Sequence, residues 1–304
     1  MRTIGLWLIA GCLLTVCLQA QDSFIVMSLR GRVEVMSKGK NWKRITVGMV
    51  LGKKDIIRTS YASYVKLMMN EDRLVSVDEN TTKPLAEFLQ GPIAGSGEGA
   101  AGKILQYAAA QISRTKTKRE GGEYGAVRGE QAVFSAVFPT RAIMTAQPTF
   151  TWIDTDSAGR YEILVLDDNF QIVQRWSVEG SGFAARIPNG VIPGPGVYHW
   201  QITRLTDGEV SNIQTFSLLP PDTVSAIERE VESLDRELTA MNADDVTRQL
   251  IHGIYFERKG LCEDAFRAYR ETVRLAPDVE EYRDMMRALL AQMRLLNEEP
   301  FLLH

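Results

Sequence analysis

Residues 47–84 constrain the fold more than any other stretch, because three short runs of β-forming residues follow one another there with only polar turns between them. Asp55 to Thr59 sets the β-branched pair Ile56-Ile57 beside a charge. Ser63 to Met69 places Val65, Leu67 and Met69 on one face and Lys66 on the other. After the polar turn Asn70-Glu71-Asp72-Arg73, Leu74, Ser76 and Asp78 alternate with Val75, Val77 and Glu79. Period-2 runs of this kind predict hairpins in a small antiparallel β unit. No residue in the run forms a nucleophile pair, a metal cage or a phosphate cradle, so it speaks for architecture and not for a reaction.

Upstream, Phe24 and Val26, then Val33 and Val35, predict a strand-turn-strand around Arg30-Gly31, followed by a basic, Gly-containing turn at 37–43. Residues 22–90 therefore read as the first β domain. Its pattern of Trp42, Gly48, Leu51, Asp55, Ile57 and Thr59, then the Val65 strand and the Leu74 strand, resembles the periplasmic domain of the FecR family. Two positions depart from that family: Lys54 stands where Gly usually precedes the Asp, and Asn70-Glu71-Asp72-Arg73 replaces an Asp-Gly-Ser turn. Asn and Asp are the next best residues for such turns. The resemblance implies a periplasmic protein.

The N-terminus agrees with that compartment. Residues 1–20 carry Arg2, then an apolar run from Ile4 to Leu18, and end at Ala20 before Gln21, which is the form of a secretory signal peptide. Ile9-Ala10-Gly11-Cys12 resembles a lipobox, and cleavage there would leave a lipidated Cys12 at the mature terminus. Membrane contact is expected only through a lipid on Cys12 or through a retained N-terminal segment. The location expected is periplasmic or secreted, with the lipid-anchored form as the alternative. Beyond Cys12 and Cys17 the chain has only Cys262, which cannot form an internal disulfide and reads as a small core residue.

Residues 91–138 read as a Gly-rich and basic linker with a short helix at 103–113. Gly97 to Ile104 comes close to a phosphate-binding loop, but Ile104 stands where the magnesium-binding hydroxyl should be and no buried strand precedes it. Residues 114–119, Arg-Thr-Lys-Thr-Lys-Arg, are the one concentrated basic run; without aromatic residues to stack bases they read as solvated linker, with an anionic envelope polymer or lipid headgroup as the alternative contact. A net charge of −3 over 304 residues gives no footing for nucleic-acid binding.

Residues 139–220 read as a β-sandwich. Phe150 and Trp152, then Tyr161, Ile163 and Val165, then Tyr198, Trp200 and Ile202 fall on single faces of strands separated by turn signals. The Pro148-x-Phe150-x-Trp152 and Pro195-Gly196-x-Tyr198-x-Trp200 patterns resemble immunoglobulin-like and fibronectin type III modules, without the intersheet cysteines. Trp152, Tyr161, Tyr198 and Trp200 are expected in the core rather than on a sugar-stacking platform. His199 is expected to point outward, and with three histidines in the chain it has no companion at ligand spacing.

Residues 222–304 read as helical. Asp222 is placed to cap a helix with Val224, Ile227, Val231, Leu234, Leu238 and Met241 along one seam, and Glu228, Glu230, Glu232, Asp235 and Glu237 on its solvated side. Residues 246–257 and 261–275 form a helix pair in which Gly253, Phe256, Ala265, Tyr269 and Pro277 resemble one degenerate tetratricopeptide repeat; Gln249 and His252 miss its Trp and Leu. His252 reads as a partly buried residue of this pair. A Met-rich helix at 278–297 offers Met285, Met286, Leu289 and Met293 as an adaptable groove for a partner, the alternative being a closed bundle. Each β domain is expected to hold its own core, so the helices should be dispensable for folding.

The expected fold class is thus multidomain: mainly β through the first two thirds, a small FecR-like domain plus a sandwich, then an all-α region. The function expected is that of an exported cell-envelope scaffold binding envelope proteins, or peptidoglycan or another anionic polymer, with no catalytic, cofactor or metal site. The alternative is a periplasmic component of a FecR-type signalling system; with only Met1 ahead of Arg2, that role needs a separate membrane partner.

Overall fold

The computed structural model describes residues 23–69, 73–90, 103–104, 107–108, 134–155, 159–180, 184–186 and 192–295. The signal-peptide reading, Cys12, the basic run and most of the phosphate-loop-like stretch lie outside them. Ile104 lies inside and is buried in the core, so it packs.

The first unit runs β1 (Ser23–Arg30), β2 (Val33–Met36), β3 (Lys43–Arg44), β4 (Val50–Gly52), β5 (Ile56–Thr59), β6 (Tyr64–Met69), β7 (Arg73–Val77), β8 (Thr82–Pro84) and a 3-10 helix, Leu85–Gln90. They make two four-stranded sheets, ordered β4-β1-β6-β7 and β3-β2-β5-β8, with every pairing antiparallel. Only β6–β7 is the hairpin expected from the alternation. The successive strands β1 and β2, and again β5 and β6, belong to different sheets, so those polar stretches are corners. The two corners pack on each other: Arg32 N donates to Ser63 Oγ at 2.9 Å. Gly31 has φ +75°, and a Cβ on it would lie 2.3 Å from that same oxygen. Glycine is needed there for both its backbone and its missing carbon.

The alternation in β6 does not separate a core face from a solvent face. Val65, Leu67 and Met69 are buried, and so are Lys66 and Met68. Sheets covered on both faces take near-continuous apolar strands, and Leu67-Met68-Met69 is such a run. The second cover is the helical region.

The second unit contains β9 (Phe134–Phe138), β10 (Arg141–Ile143), β11 (Thr149–Asp154), β12 (Gly159–Asp167), β13 (Ile172–Gly180), β14 (Ala184–Arg186), β15 (Gly196–Arg204) and β16 (Gln214–Leu218). Sheets β14-β11-β9 and β10-β16-β15-β12-β13 face each other as an immunoglobulin/fibronectin-like sandwich. Here the linker expectation needs correction, because β9 falls inside 91–138. Phe134, Ala136 and Phe138 alternate with Ser135 and Val137, a strand signal that the neighbouring Gly-rich sequence obscures. The chain then crosses to the other sheet, where β10 runs parallel to β16. Aromatic rings fill the interior: Phe150 meets Trp200 edge to face at 4.7 Å, and Trp152 tilts onto Tyr161 at 5.3 Å. The Trp200 indole donates to the Pro139 carbonyl at 2.9 Å.

Four helices follow among the described residues: α1 (Pro221–Ala240), α2 (Asp245–Lys259), α3 (Cys262–Leu275) and α4 (Glu280–Gln292). Helix α1 begins at Pro221 with Pro220 before it, so Asp222 lies in the first turn and does not cap. Asp244 does cap α2, accepting from Thr247 N at 2.8 Å. Gly260, at φ +73°, ends α2 in the left-handed region. Gly253 lies under Tyr269, where a Cβ would come 2.5 Å from the ring, and the Tyr269 hydroxyl donates to Glu257 Oε2 at 2.6 Å. The acids of α1 lie on its solvated side as expected, and two of them also reach α2: Glu230 pairs with Lys259 at 2.6 Å and Asp235 with Arg248 at 3.0 Å.

The helices are not an appendage. Their buried residues and those of the first β unit form one continuous apolar cluster, which also takes in Val137, Phe138 and Ile153; the sandwich interior is a second cluster. Polar contacts stitch the seam. Ser28 Oγ and Thr247 Oγ1 lie 2.6 Å apart, and Lys66 Nζ donates to the Asn242 carbonyl at 2.9 Å. The sandwich joins through Phe138 against Phe266 at 5.4 Å and Ala142 N on the Gly260 carbonyl at 3.3 Å. The expectation of an independent core in the first β unit is therefore overturned.

Candidate functional site

In the first unit, the residues that carry the sequence pattern all have structural work. Trp42 lies over the Arg58 guanidinium, 4.2 Å from its ring centroid. Arg58 and Arg32 both bind Glu34, whose carboxyl they hold below the ordinary range, Arg32 foremost. Asp55 Oδ2 accepts from Gly52 N at 2.9 Å. Thr59 Oγ1 donates to the Asp78 carbonyl and accepts from Thr81 N at 3.0 Å. Leu51 and Ile57 are core residues. The pattern marks how the two sheets are built.

The groove expected on α4 is closed. Met285, Met286, Leu289 and Met293 are 6%, 0%, 0% and 8% exposed, members of the core shared with the first β unit. Their flexible thioethers are spent inside that core, which is the other use of methionine. His252 is partly buried in the helix pair, with Nε2 3.0 Å from Asp235 Oδ1 and its pKa lowered by burial. Trp152, Tyr161, Tyr198 and Trp200 are buried in the sandwich, so no sugar platform forms there.

Apolar side chains nevertheless remain outside. On the outer face of the five-stranded sheet, Ile172 pairs with Leu166, Leu166 with His199 and His199 with Thr215, a row across four strands. The imidazole bonds Thr215 Oγ1 at 2.9 Å and stacks on Phe170, 4.3 Å between centroids and 5° from parallel. Phe170 is 58% exposed, Ile172 59% and Val197 37%. Phe170 occupies the tight turn between β12 and β13 with φ +58°, a region that an aromatic residue enters only at some cost. Asp167 enforces the turn: Oδ1 accepts from Asn169 N at 2.9 Å and Gln171 N at 2.8 Å. Sequence reasoning placed His199 outward but missed Phe170. The available signal was a Phe at the end of Asp167-Asp168-Asn169, where a tight turn ordinarily takes Gly or Asn.

Among the described residues, no group of three or more His, Cys, Asp or Glu side chains could hold a metal ion. No described helix is long and apolar enough to cross a membrane. Comparison with protein-family models and with curated proteins returns no match. Among solved structures the chain is similar to the chicken CNTN1 FN1-FN3 domains, at 11% identity and a TM-score of 0.20, over 66% of this chain and 56% of that one. The sandwich assignment rests on its own strand order.

Proposed function

We propose that this protein is an exported bacterial cell-envelope scaffold of the FecR-domain type, binding other envelope proteins without catalysis. The FecR-like β unit and the single tetratricopeptide-like helix pair, α2–α3, share a core and serve as a rigid base. The sandwich presents the binding surface. The observation that carries this reading is Phe170: an exposed ring in a left-handed turn, flat against His199 and beside Ile172 and Val197. Exposed aromatic residues on a rigid turn are the usual anchors of protein interfaces, and strain kept at a surface position points to use.

Two measurements test the proposal. N-terminal sequencing of the mature chain should begin at Gln21 or at an acylated Cys12, and an intact Met1 in a soluble cytoplasmic fraction would refute export. A photo-crosslinker at position 170 should capture envelope proteins that one at the exposed Arg229 of α1 does not. Phe170→Gly, which relieves the turn while removing the ring, should keep the fold and abolish capture by a crosslinker placed at 172. Equal capture from 170 and 229, or capture of peptidoglycan alone, would contradict a protein-binding sandwich face.

A further inference from the structure

Strand β13 is nine residues long and forms one edge of the five-stranded sheet; it pairs with β12 and, among the described residues, with no second strand. The direction of its backbone groups follows from β12. Leu205 N donates to the Arg160 carbonyl at 2.8 Å, and Asp167 N to the Gln171 carbonyl at 2.9 Å. Arg160 thus faces β15 and Asp167 the opposite side, and with a period of two Tyr161, Ile163 and Val165 face β13 as well. Their partners Val178, Trp176 and Gln174 bond to β12. Arg175, Ser177 and Glu179 therefore turn their N–H and C=O groups to the open edge, and all three are exposed.

A row of free backbone groups is a template for another strand. Beside this one the sandwich interior is incompletely covered, because Val173, Trp176 and Val178 are only partly buried against it. A register shift between Gln174 and Ile172 ends the regular stretch on one side, which leaves Gln174 to Gly180 for pairing. Charges on an edge ordinarily forbid pairing, but Arg175 and Glu179 carry opposite signs and so select a partner. Suppose an antiparallel copy of the same strand lies alongside. Centring the pair on Arg175 or on Glu179 sets like charges face to face, and centring it on Trp176 or Val178 sets a charge opposite serine. Centring it on Ser177 sets each Arg175 opposite Glu179 of the second copy, the favourable cross-strand arrangement. Arg160 already lies across from Glu179 within the chain, so that carboxylate comes to rest between two guanidinium groups. On the inner face, Trp176 then meets Val178 of the second copy in a non-hydrogen-bonded pair, where side chains are closest.

We propose that β13 pairs with β13 of a second copy of this chain, antiparallel and centred on Ser177, joining two sandwiches through one continuous sheet. The same residues serve on both sides, as a two-fold dimer requires. The axis stands perpendicular to the sheet, so both copies present the Phe170 face on the same side. The pairing rests on the edge alone and holds whether or not that face binds envelope proteins.

Sedimentation of the full chain should show a dimer in reversible equilibrium with monomer. Ser177→Pro removes an edge-facing N–H and no bond to β12, a change that edge strands tolerate, and should leave a folded monomer by circular dichroism. Arg175→Glu alone sets acid opposite acid, and Glu179→Arg alone sets base opposite base; each should weaken dimerisation at least about tenfold. Mixed in equal amounts, the two variants should associate again, since each then meets the opposite charge at both positions. A wild-type chain that stays monomeric at its highest soluble concentration would overturn the proposal. So would a folded Ser177→Pro variant that still dimerises, an unchanged dissociation constant in both charge variants, or their failure to associate on mixing. If Ser177→Pro does not fold, the two charge reversals, both at exposed positions, decide alone.

Discussion

The Tyr198 hydroxyl donates to the Gly194 carbonyl, 2.8 Å away, across the corner that leads into β15. Its ring meanwhile stacks on Phe216 at 5.5 Å. Tyr198→Phe keeps the ring and removes one partly buried hydrogen bond, so urea unfolding should show a loss of about 1 kcal/mol. Glu263 gives a pH signature. Burial at the start of α3 raises its pKa from 4.5 to about 7, against the pull of Arg267. A carboxyl whose folded pKa is raised contributes stability that is complete below 4.5 and lost as pH rises towards 7. Glu263→Gln should therefore stabilise the protein at pH 8 by on the order of 2 kcal/mol and leave it little changed at pH 4; melting temperatures at the two pH values check this. At this scale the sequence was readable where periodicity governs, as at Trp152 and Trp200. It was not readable at Asp222, where Pro221 shifts the helix start, or at Phe170, whose exposure depends on a turn closed by Asp167.

Among the elements, α2 and α3 approach closely at Gly253. Tyr269 is 1% exposed and tied to Glu257, so its ring cannot swing away from a methyl group placed on Gly253. Gly253→Ala should lower stability by about 1–3 kcal/mol, outweighing the roughly 1 kcal/mol that alanine gains in a helix; thermal melting will show which wins. Trp152→Ala or Trp200→Ala should cost about 3–5 kcal/mol by opening the sandwich interior. Both helices of the pair and most strands could be read from periodicity, because 3.6- and 2-residue patterns survive tertiary packing. Strand pairing could not. A short polar turn between two β runs fits a hairpin and a corner between sheets equally well, and only the contact of Gly31 with Ser63 separates them. Strand β9 was hidden for a different reason, since its neighbours are Gly-rich and basic.

The whole molecule is where the sequence reading and the fold differ most. Alternation in β6 suggested a sheet with one wet face, and the Met-rich α4 suggested a groove. Neither surface is free: on the sheet Ser28, Lys66 and Met68 are buried, with Ser28 on Thr247 of α2 and Lys66 on the Asn242 carbonyl, and Met286 and Leu289 of α4 are buried in the same continuous core. Long-range complementarity of this kind leaves no local mark in a chain. It follows that residues 23–219 without the helices should expose the outer face of β1 and β6 and aggregate, a property that light scattering of the truncated protein reads directly.

Amide hydrogen exchange tests the shared core most directly. Leu250, fully buried on α2, can be cut to alanine in the full-length protein, which should cost about 2–5 kcal/mol. If helices and first β unit are one cooperative body, amides of β1 and β6 will lose protection by the same free energy as those of α2 and α3. If amides of β1 and β6 exchange as in the wild type while those of α2 and α3 speed up, the two parts are separate domains and the shared-core account is wrong.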